Sequence, residues 1–157
     1  MATATLSVTH TESITLNDRE QGGTKTYTIA SIAQVLKRTV TCPAGSDTTI
    51  ANFQTATSTS DSALDLENTK YIRVTNLDSS NSVNLSLQVA GAEGGTANMS
   101  TTILLGAGET FTMGTPHDGI ALDDDAATIV TSLNDLESLL VDPGSNSVAV
   151  EVFVAST

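Results

Sequence analysis

Alternation of apolar and polar side chains between residues 71 and 89 constrains this chain more than any other feature. A period of two is typical of β-strands that bury one face and leave the other in water. The polar break between the two alternating segments holds Asn, Asp and Ser, which favour turns because they hydrogen-bond to nearby backbone. The pattern predicts a β-hairpin with a loop of about five residues. Its inward positions are Ile72, Val74, Val83, Leu85, Leu87 and Val89.

The N-terminal part of the chain shows the same alternation in shorter segments. Residues 12–16 predict a strand with Ile14 and Leu16 facing inward, and residues 24–29 predict the strand that returns beside it. The polar stretch between these segments ends in two glycines, which tolerate the backbone conformations that turns require. The sequence therefore predicts a first strand at residues 6–8, followed by the strand over 12–16 and the returning strand over 24–29.

Two other segments fit both a strand and a helix. Apolar residues within 31–36 and within 136–141 have the spacing of a single helical turn. The first leads into an alternating segment, so we expect a continuing, bent strand or a short turn there. The second is followed by Pro143, Gly144 and the alternating residues 148–154, so we expect a strand that forms a C-terminal hairpin.

Taken together, the segments predict an all-β chain. About ten short strands separated by polar turns are typical of an antiparallel β-sandwich or a jelly-roll-like barrel. Aromatic residues make up only 3% of the 157 residues and Trp is absent, so the core must be aliphatic. No shift in composition marks a boundary. We therefore assign residues 1–157 to a single β-sandwich domain, with a docking arm within residues 1–20.

The charge of the chain is large and unevenly distributed. The formal net charge is −12, and none of the six basic residues lies beyond Arg73. Such a surface repels phosphate groups, which argues against nucleic acid and against anionic membranes as partners. One interpretation is a surface that resists self-association. The functional interpretation is an acidic outward face beside a neutral docking face.

Residue types that carry chemistry are few and scattered. His117 lies in a loop-like segment, and the sequence shows no recognisable catalytic partner for Cys42. We therefore predict that the protein is not an enzyme. Asp123, Asp124 and Asp125 form the densest acidic run, but calcium requires ligands at spaced positions, so we favour a solvated turn. We predict no cofactor and no metal site. The N-terminus has neither a basic start nor an apolar run, so we expect no secretory signal.

Several motifs, structural rather than catalytic, are distributed along most of the chain. They are Glu12-Ser-Ile-Thr-Leu-Asn-Asp18, Lys37-Arg-Thr-Val-Thr-Cys-Pro43, Tyr71-Ile-Arg-Val-Thr-Asn-Leu-Asp78, Asn81-Ser-Val-Asn-Leu-Ser-Leu87, Leu105-Gly-Ala-Gly-Glu-Thr-Phe-Thr-Met113 and Val150-Glu-Val-Phe-Val154. Their combination resembles small virion structural proteins of tailed bacteriophages, cyanophages among them.

The resemblance implies a capsid decoration (cement) protein on the capsid surface of the virion, made in the host cytoplasm. Such a protein would bind across subunits of the major capsid protein and stabilise the shell, as a homo-oligomer that we expect to be a trimer. One alternative is a virion structural protein of the tail, neck or fibre. Another is a carbohydrate-binding module, which would need aromatic rings to stack on sugars.

Three basic residues are the candidate partner-binding site. Lys37, Arg38 and Arg73 lie in the half of the chain that holds every base. We expect them to contribute to docking on an acidic shell, in a manner that depends on salt. The alternative is that they are scattered charges that keep the protein dispersed.

Overall fold

The computed structural model describes residues 3–54, 63–65, 67–89, 99–114, 120–122 and 133–157. These residues form strands, and they contain no helix with the length and apolar content needed to cross a bilayer. The strands are β1 (Ala4–Glu12), β2 (Thr15–Leu16), β3 (Arg19–Glu20), β4 (Gly23–Ile32), β5 (Gln34–Cys42), β6 (Thr48–Gln54), β7 (Ala63–Asp65), β8 (Thr69–Asn76), β9 (Val83–Val89), β10 (Met99–Leu105), β11 (Thr110–Gly114), β12 (Ala121–Leu122), β13 (Asn134–Asp142) and β14 (Val148–Ser156).

Two sheets pack face to face and enclose a mainly aliphatic core. The four-stranded sheet has the order β11-β8-β14-β5, and the six-stranded sheet has the order β10-β9-β13-β6-β7, with β12 beside β13. All strand pairs are antiparallel except β6 with β7. Fully buried side chains from both sheets meet in one cluster, for example Val150 and Val152 with Leu85 and Leu139. The predicted all-β antiparallel sandwich is confirmed.

The predicted central hairpin is wrong, because its two arms lie in different sheets. Strand β8 pairs with β11 and β14, whereas β9 pairs with β10 and β13. The predicted C-terminal hairpin is wrong for the same reason, since β13 and β14 also belong to opposite sheets. Alternation shows that each strand buries one face against the core. It does not distinguish a turn within one sheet from a crossover between two sheets that share that core.

Strand β13 shows why its sequence also suited a helix. Leu136 and Leu139 are both buried although they are three residues apart. Against β9, the register of β13 shifts: Leu136 and Ser138 pair with the consecutive residues Val89 and Gln88. The unpaired residue between Leu136 and Ser138 forms a β-bulge. Because the bulge shifts the alternation by one position, Leu139 faces the core. The bulge therefore gives the buried residues of this strand the same spacing as in one turn of a helix.

The N-terminal ribbon of β1 and β4 folds against the outer face of the four-stranded sheet. Val8, Ile29 and Ile32 pack there in a second apolar cluster with Tyr71 and Ala155. The strand predicted over 24–29 is confirmed as part of β4, but it pairs with β1 and not with the predicted strand over 12–16. Beyond this cluster the ribbon continues into the short pair β2 and β3, where every residue of both strands is exposed.

The predicted inward orientation of two ribbon residues is wrong. Ile14 is 55% exposed and Leu16 is 58% exposed, although their alternation continues that of the buried residues. The reason is that the ribbon extends past the sheet that supports its base. Alternation identifies an apolar face, but a core forms only where another element covers it.

Some sequence predictions fall outside the described residues. These are His117 and the aspartates Asp123, Asp124 and Asp125.

Candidate functional site

Basic residues are segregated onto one side of the sandwich. All six lie in the ribbon or the four-stranded sheet, whose strands carry six basic and three acidic residues. The strands of the six-stranded sheet carry four acidic residues and no basic residue. The strands on the two sides of the sandwich therefore differ in charge, which a residue count of the whole chain does not reveal. The bases are Arg19, Lys25, Lys37, Arg38, Lys70 and Arg73, and the acids of the six-stranded sheet are Asp65, Asp135, Glu137 and Asp142.

Two of the three candidate residues meet on the outer face of the four-stranded sheet. Arg73 Nη2 donates to Glu151 Oε1 at 2.5 Å, and Lys37 Nζ lies 3.5 Å from Glu151 Oε2. The Arg73 guanidinium also lies 6.0 Å from the ring centre of Phe153, at the outer limit for a cation–π contact. Two bases share one acid, so the cluster carries a net positive charge.

The pKa of Glu151 reflects this surrounding. The hydrogen bond from Arg73 lowers the pKa of the Glu151 carboxyl below its ordinary value, and the charge of Lys37 lowers it further. Sequence reasoning missed Glu151 as a member of the site. One feature of the sequence could have indicated it: Glu151 is the single acidic residue within the alternating segment 148–154.

Arg38 does not belong to this cluster. It is the neighbour of Lys37 on β5, so its side chain leaves the opposite face of the strand. Its Nη2 donates to the carbonyl oxygen of Ile50 at 2.7 Å, which links the edge strand β5 to β6 of the other sheet. The structure therefore brings Lys37 and Arg73 together and gives Arg38 a bond between the two sheets.

The tip of the ribbon is held in one conformation by its own residues. Asn17 and Asp18 have φ angles of 51° and 58°, the left-handed conformation that a two-residue hairpin turn requires. Glu20 Oε1 accepts hydrogen bonds from the backbone N–H groups of Gly22 at 2.8 Å and Ile14 at 3.1 Å. These two bonds, the one from Gly22 first, lower the pKa of Glu20. Hydrogen bonds within the tip therefore fix its conformation.

The motif Asn76-Leu77-Asp78 forms a corner between the sheets. Asn76 is fully buried, and its Nδ2 lies within hydrogen-bond distance of the carbonyl oxygens of Asn81 at 2.8 Å, Gly106 at 3.0 Å and Leu105 at 3.3 Å. Its Oδ1 accepts from the N–H of Asp78 at 3.0 Å. One side chain thus joins the crossover from β8 to β9 to the crossover from β10 to β11.

Carboxylates complete both of these crossovers. Asp78 Oδ1 accepts from the N–H groups of Ser80 at 2.8 Å and Asn81 at 2.7 Å, and these bonds, with the one from Asn81 first, lower the pKa of Asp78. Glu109 Oε2 accepts from the N–H of Gly106 at 2.9 Å. The segments around Asn76–Asp78 and Gly106–Glu109 therefore stabilise the two crossovers between the sheets at one end of the sandwich.

Two shallow depressions adjoin on the six-stranded sheet. Their volumes are about 320 and 260 Å³, and they share Asn84 and Asp142. Side-chain amides, hydroxyl groups and carboxylates line them together with Leu104 and Leu140, and no aromatic ring does so. Neither depression, as described, offers the stacking platform of a typical sugar site.

Reactive groups in the described part of the chain are not gathered into a site. Cys42 is fully buried, and burial raises the pKa of its thiol, which keeps it in the unreactive protonated form. Within the same residues, no three side chains of His, Cys, Asp or Glu come together in a way that could hold a metal ion.

Comparison with known proteins adds no further constraint. No protein-family model matches the chain, and a search of curated proteins found no similar sequence.

Proposed function

We propose that this chain is a capsid decoration protein of a tailed bacteriophage, which binds across subunits of the major capsid protein and stabilises the shell. The observation that carries the proposal is the segregation of charge between the strands on the two sides of the sandwich. The outer face of the four-stranded sheet, with Lys37 and Arg73, forms the docking side, and the acidic six-stranded sheet faces outward. The resemblance of the structural motifs to phage virion proteins supports the same function.

Physical reasons connect this charge pattern to decoration. Complementary charge orients a small protein as it approaches a surface and excludes the inverted orientation, which places like charges together. An outward acidic face repels the same face on other particles and keeps them dispersed. A rigid sandwich that bridges neighbouring subunits resists their separation without any catalytic group.

Copy number in purified virions tests the proposal. Quantitative mass spectrometry should find this chain at a number comparable to that of the major capsid protein, since a decoration protein occupies every equivalent seam. A few copies per particle would contradict decoration and favour the tail, neck or fibre alternative.

A charge-neutralisation series tests the docking side. Lys37→Gln combined with Arg73→Gln should weaken binding to undecorated capsids, and raising the salt concentration should weaken binding of the unchanged protein. Glu137→Gln on β13 is the matched control, because it removes a charge from the opposite sheet. Equal binding by all these proteins at every salt concentration would contradict the proposed orientation.

Arg38→Gln separates structural from docking roles among the three predicted residues. Its bond to the Ile50 carbonyl predicts a loss of stability, not a direct loss of docking. Chemical unfolding of the purified variant, measured beside its capsid binding, distinguishes the two effects.

A further inference from the structure

The apolar face of the N-terminal ribbon continues past its support. At the base, Val8 is buried against the four-stranded sheet, and further along His10 and Tyr27 stack with ring centres 6.0 Å apart. Ile14 and Leu16 continue the same alternation at the tip, where each is more than half exposed. Two large aliphatic side chains that stay more than half exposed on a preformed turn mark a contact surface for another molecule.

Charge identifies which surface fits this tip. Residues 12–20 include three acids and one base, so the tip has a formal charge of −2. The other large apolar side chains exposed in the described residues are Val35, Leu77, Leu104 and Leu133. Val35 lies on the outer face of edge strand β5, two residues before Lys37 and beside the positive cluster of Lys37, Arg73 and Glu151.

The remaining three exposed side chains have acidic surroundings. Leu77 precedes Asp78, Leu133 lies two residues before Asp135, and Leu104 borders the depression that Asp142 lines. An acidic tip that approached any of them would meet like charge. Val35 is therefore the described apolar position that combines an open surface with complementary charge.

We propose that the ribbon tip binds a second copy of this chain, with Ile14 and Leu16 of one copy packed against Val35 of the next and the acidic tip facing Lys37. The contact joins two different surfaces, so each copy can give one tip and receive one. Such a head-to-tail contact forms a closed ring when the rotation between copies closes. The location of this contact on a decorated capsid rests on the proposed function. The contact between two copies does not, because it can form in solution without a capsid.

Light scattering of the purified protein tests this contact. We expect a discrete oligomer that dissociates towards monomers as salt is raised, because screening weakens the attraction between the tip and Lys37. Leu16→Ser should weaken association about tenfold, which corresponds to the loss of one partly buried leucine side chain. Leu104→Ser is the matched control, since Leu104 is even more exposed but lies on the opposite sheet. A monomer at all concentrations, or equal effects of both variants, would overturn the proposal.

Disulfide trapping tests the pairing directly. A Leu16→Cys protein mixed with a Val35→Cys protein should form a crosslinked dimer under mild oxidation, whereas Leu104→Cys mixed with Val35→Cys should not. The native Cys42 is fully buried and will not interfere. Absence of the first crosslink in an oligomeric sample would overturn the assigned surface.

The two proposals fail separately. A monomeric protein that is abundant on virions would leave decoration intact and remove the tip contact. A ring-forming protein present in a few copies per virion would do the reverse.

Discussion

Replacing Asn76 by alanine should destabilise the sandwich more than the small size of the asparagine side chain suggests. The side chain is fully buried and joins two crossovers through one amide group. Its Nδ2 carries two hydrogens and faces three carbonyl oxygens, so at most two good bonds form at once, and Oδ1 accepts a third. At about 1 kcal/mol for each bond, their loss amounts to about 3 kcal/mol.

The group left behind adds to this loss. The bond from Asn76 to the carbonyl oxygen of Leu105 is itself buried, and a buried carbonyl without a partner costs about 1–3 kcal/mol more. We therefore expect Asn76→Ala to lower the free energy of unfolding by about 4–6 kcal/mol, a large part of the roughly 5–15 kcal/mol that is typical of a domain.

Urea unfolding followed by circular dichroism measures this change. Asn84→Ala is the matched control, because Asn84 is an exposed asparagine on β9, and it should change the free energy of unfolding by no more than about 0.5 kcal/mol. The dependence of that free energy on urea should stay the same in both variants. A loss below about 1 kcal/mol in Asn76→Ala would refute the reasoning about buried amides.

Asn76→Asp separates hydrogen bonding from packing. The shape is kept, but a carboxylate would face carbonyl oxygens to which it cannot donate. The protonated form is therefore favoured in the folded state, and the pKa of this aspartate should be raised. The variant should lose stability, relative to the unchanged protein, as pH rises through that raised pKa. A variant as stable as the unchanged protein at neutral pH would contradict this explanation.

Two further predictions concern titratable groups. Because the bond from Arg73 lowers the pKa of Glu151 in the folded state, this pair stabilises the fold above the ordinary glutamate pKa of 4.5 and loses that contribution as pH falls through the lowered value. Glu151→Gln should remove this part of the acid dependence of unfolding, and an unchanged pH profile would contradict the pairing. Cys42 should react with a thiol reagent only when the sandwich opens, so its labelling rate should rise with urea in parallel with unfolding. Rapid labelling in native buffer would show that the core is more open than the structure indicates.

Sequence reasoning succeeded wherever one strand could be considered by itself. Alternation in β8, β9 and β14 identified their buried faces, since a strand against a core must send every second side chain inward. It failed on pairing, because β8 and β9 follow each other in the chain but join different sheets. It also left β13 ambiguous, because a bulge is decided by the register with a neighbour.

The candidate site was predictable only in part. The position of every base in the first half of the chain predicts Lys37 and Arg73 as site residues. The structure places them on either side of β14. The same charge pattern also predicts Arg38 as a site residue. Its side chain instead donates a hydrogen bond to the Ile50 carbonyl on the opposite face of β5. Glu151, more than 70 residues from Arg73, entered the cluster only through strand pairing.

The sequence alone determined that this chain is all-β, that its core is aliphatic and that its bases precede its acid-rich part, because these properties follow from residue type and local spacing. Tertiary structure decided that the bases share one side of a sandwich, that Asn76 joins two crossovers and that Ile14 and Leu16 project uncovered. Each of these depends on which distant strand lies alongside. Local alternation does not determine that choice, because any strand with one apolar face can cover the same core.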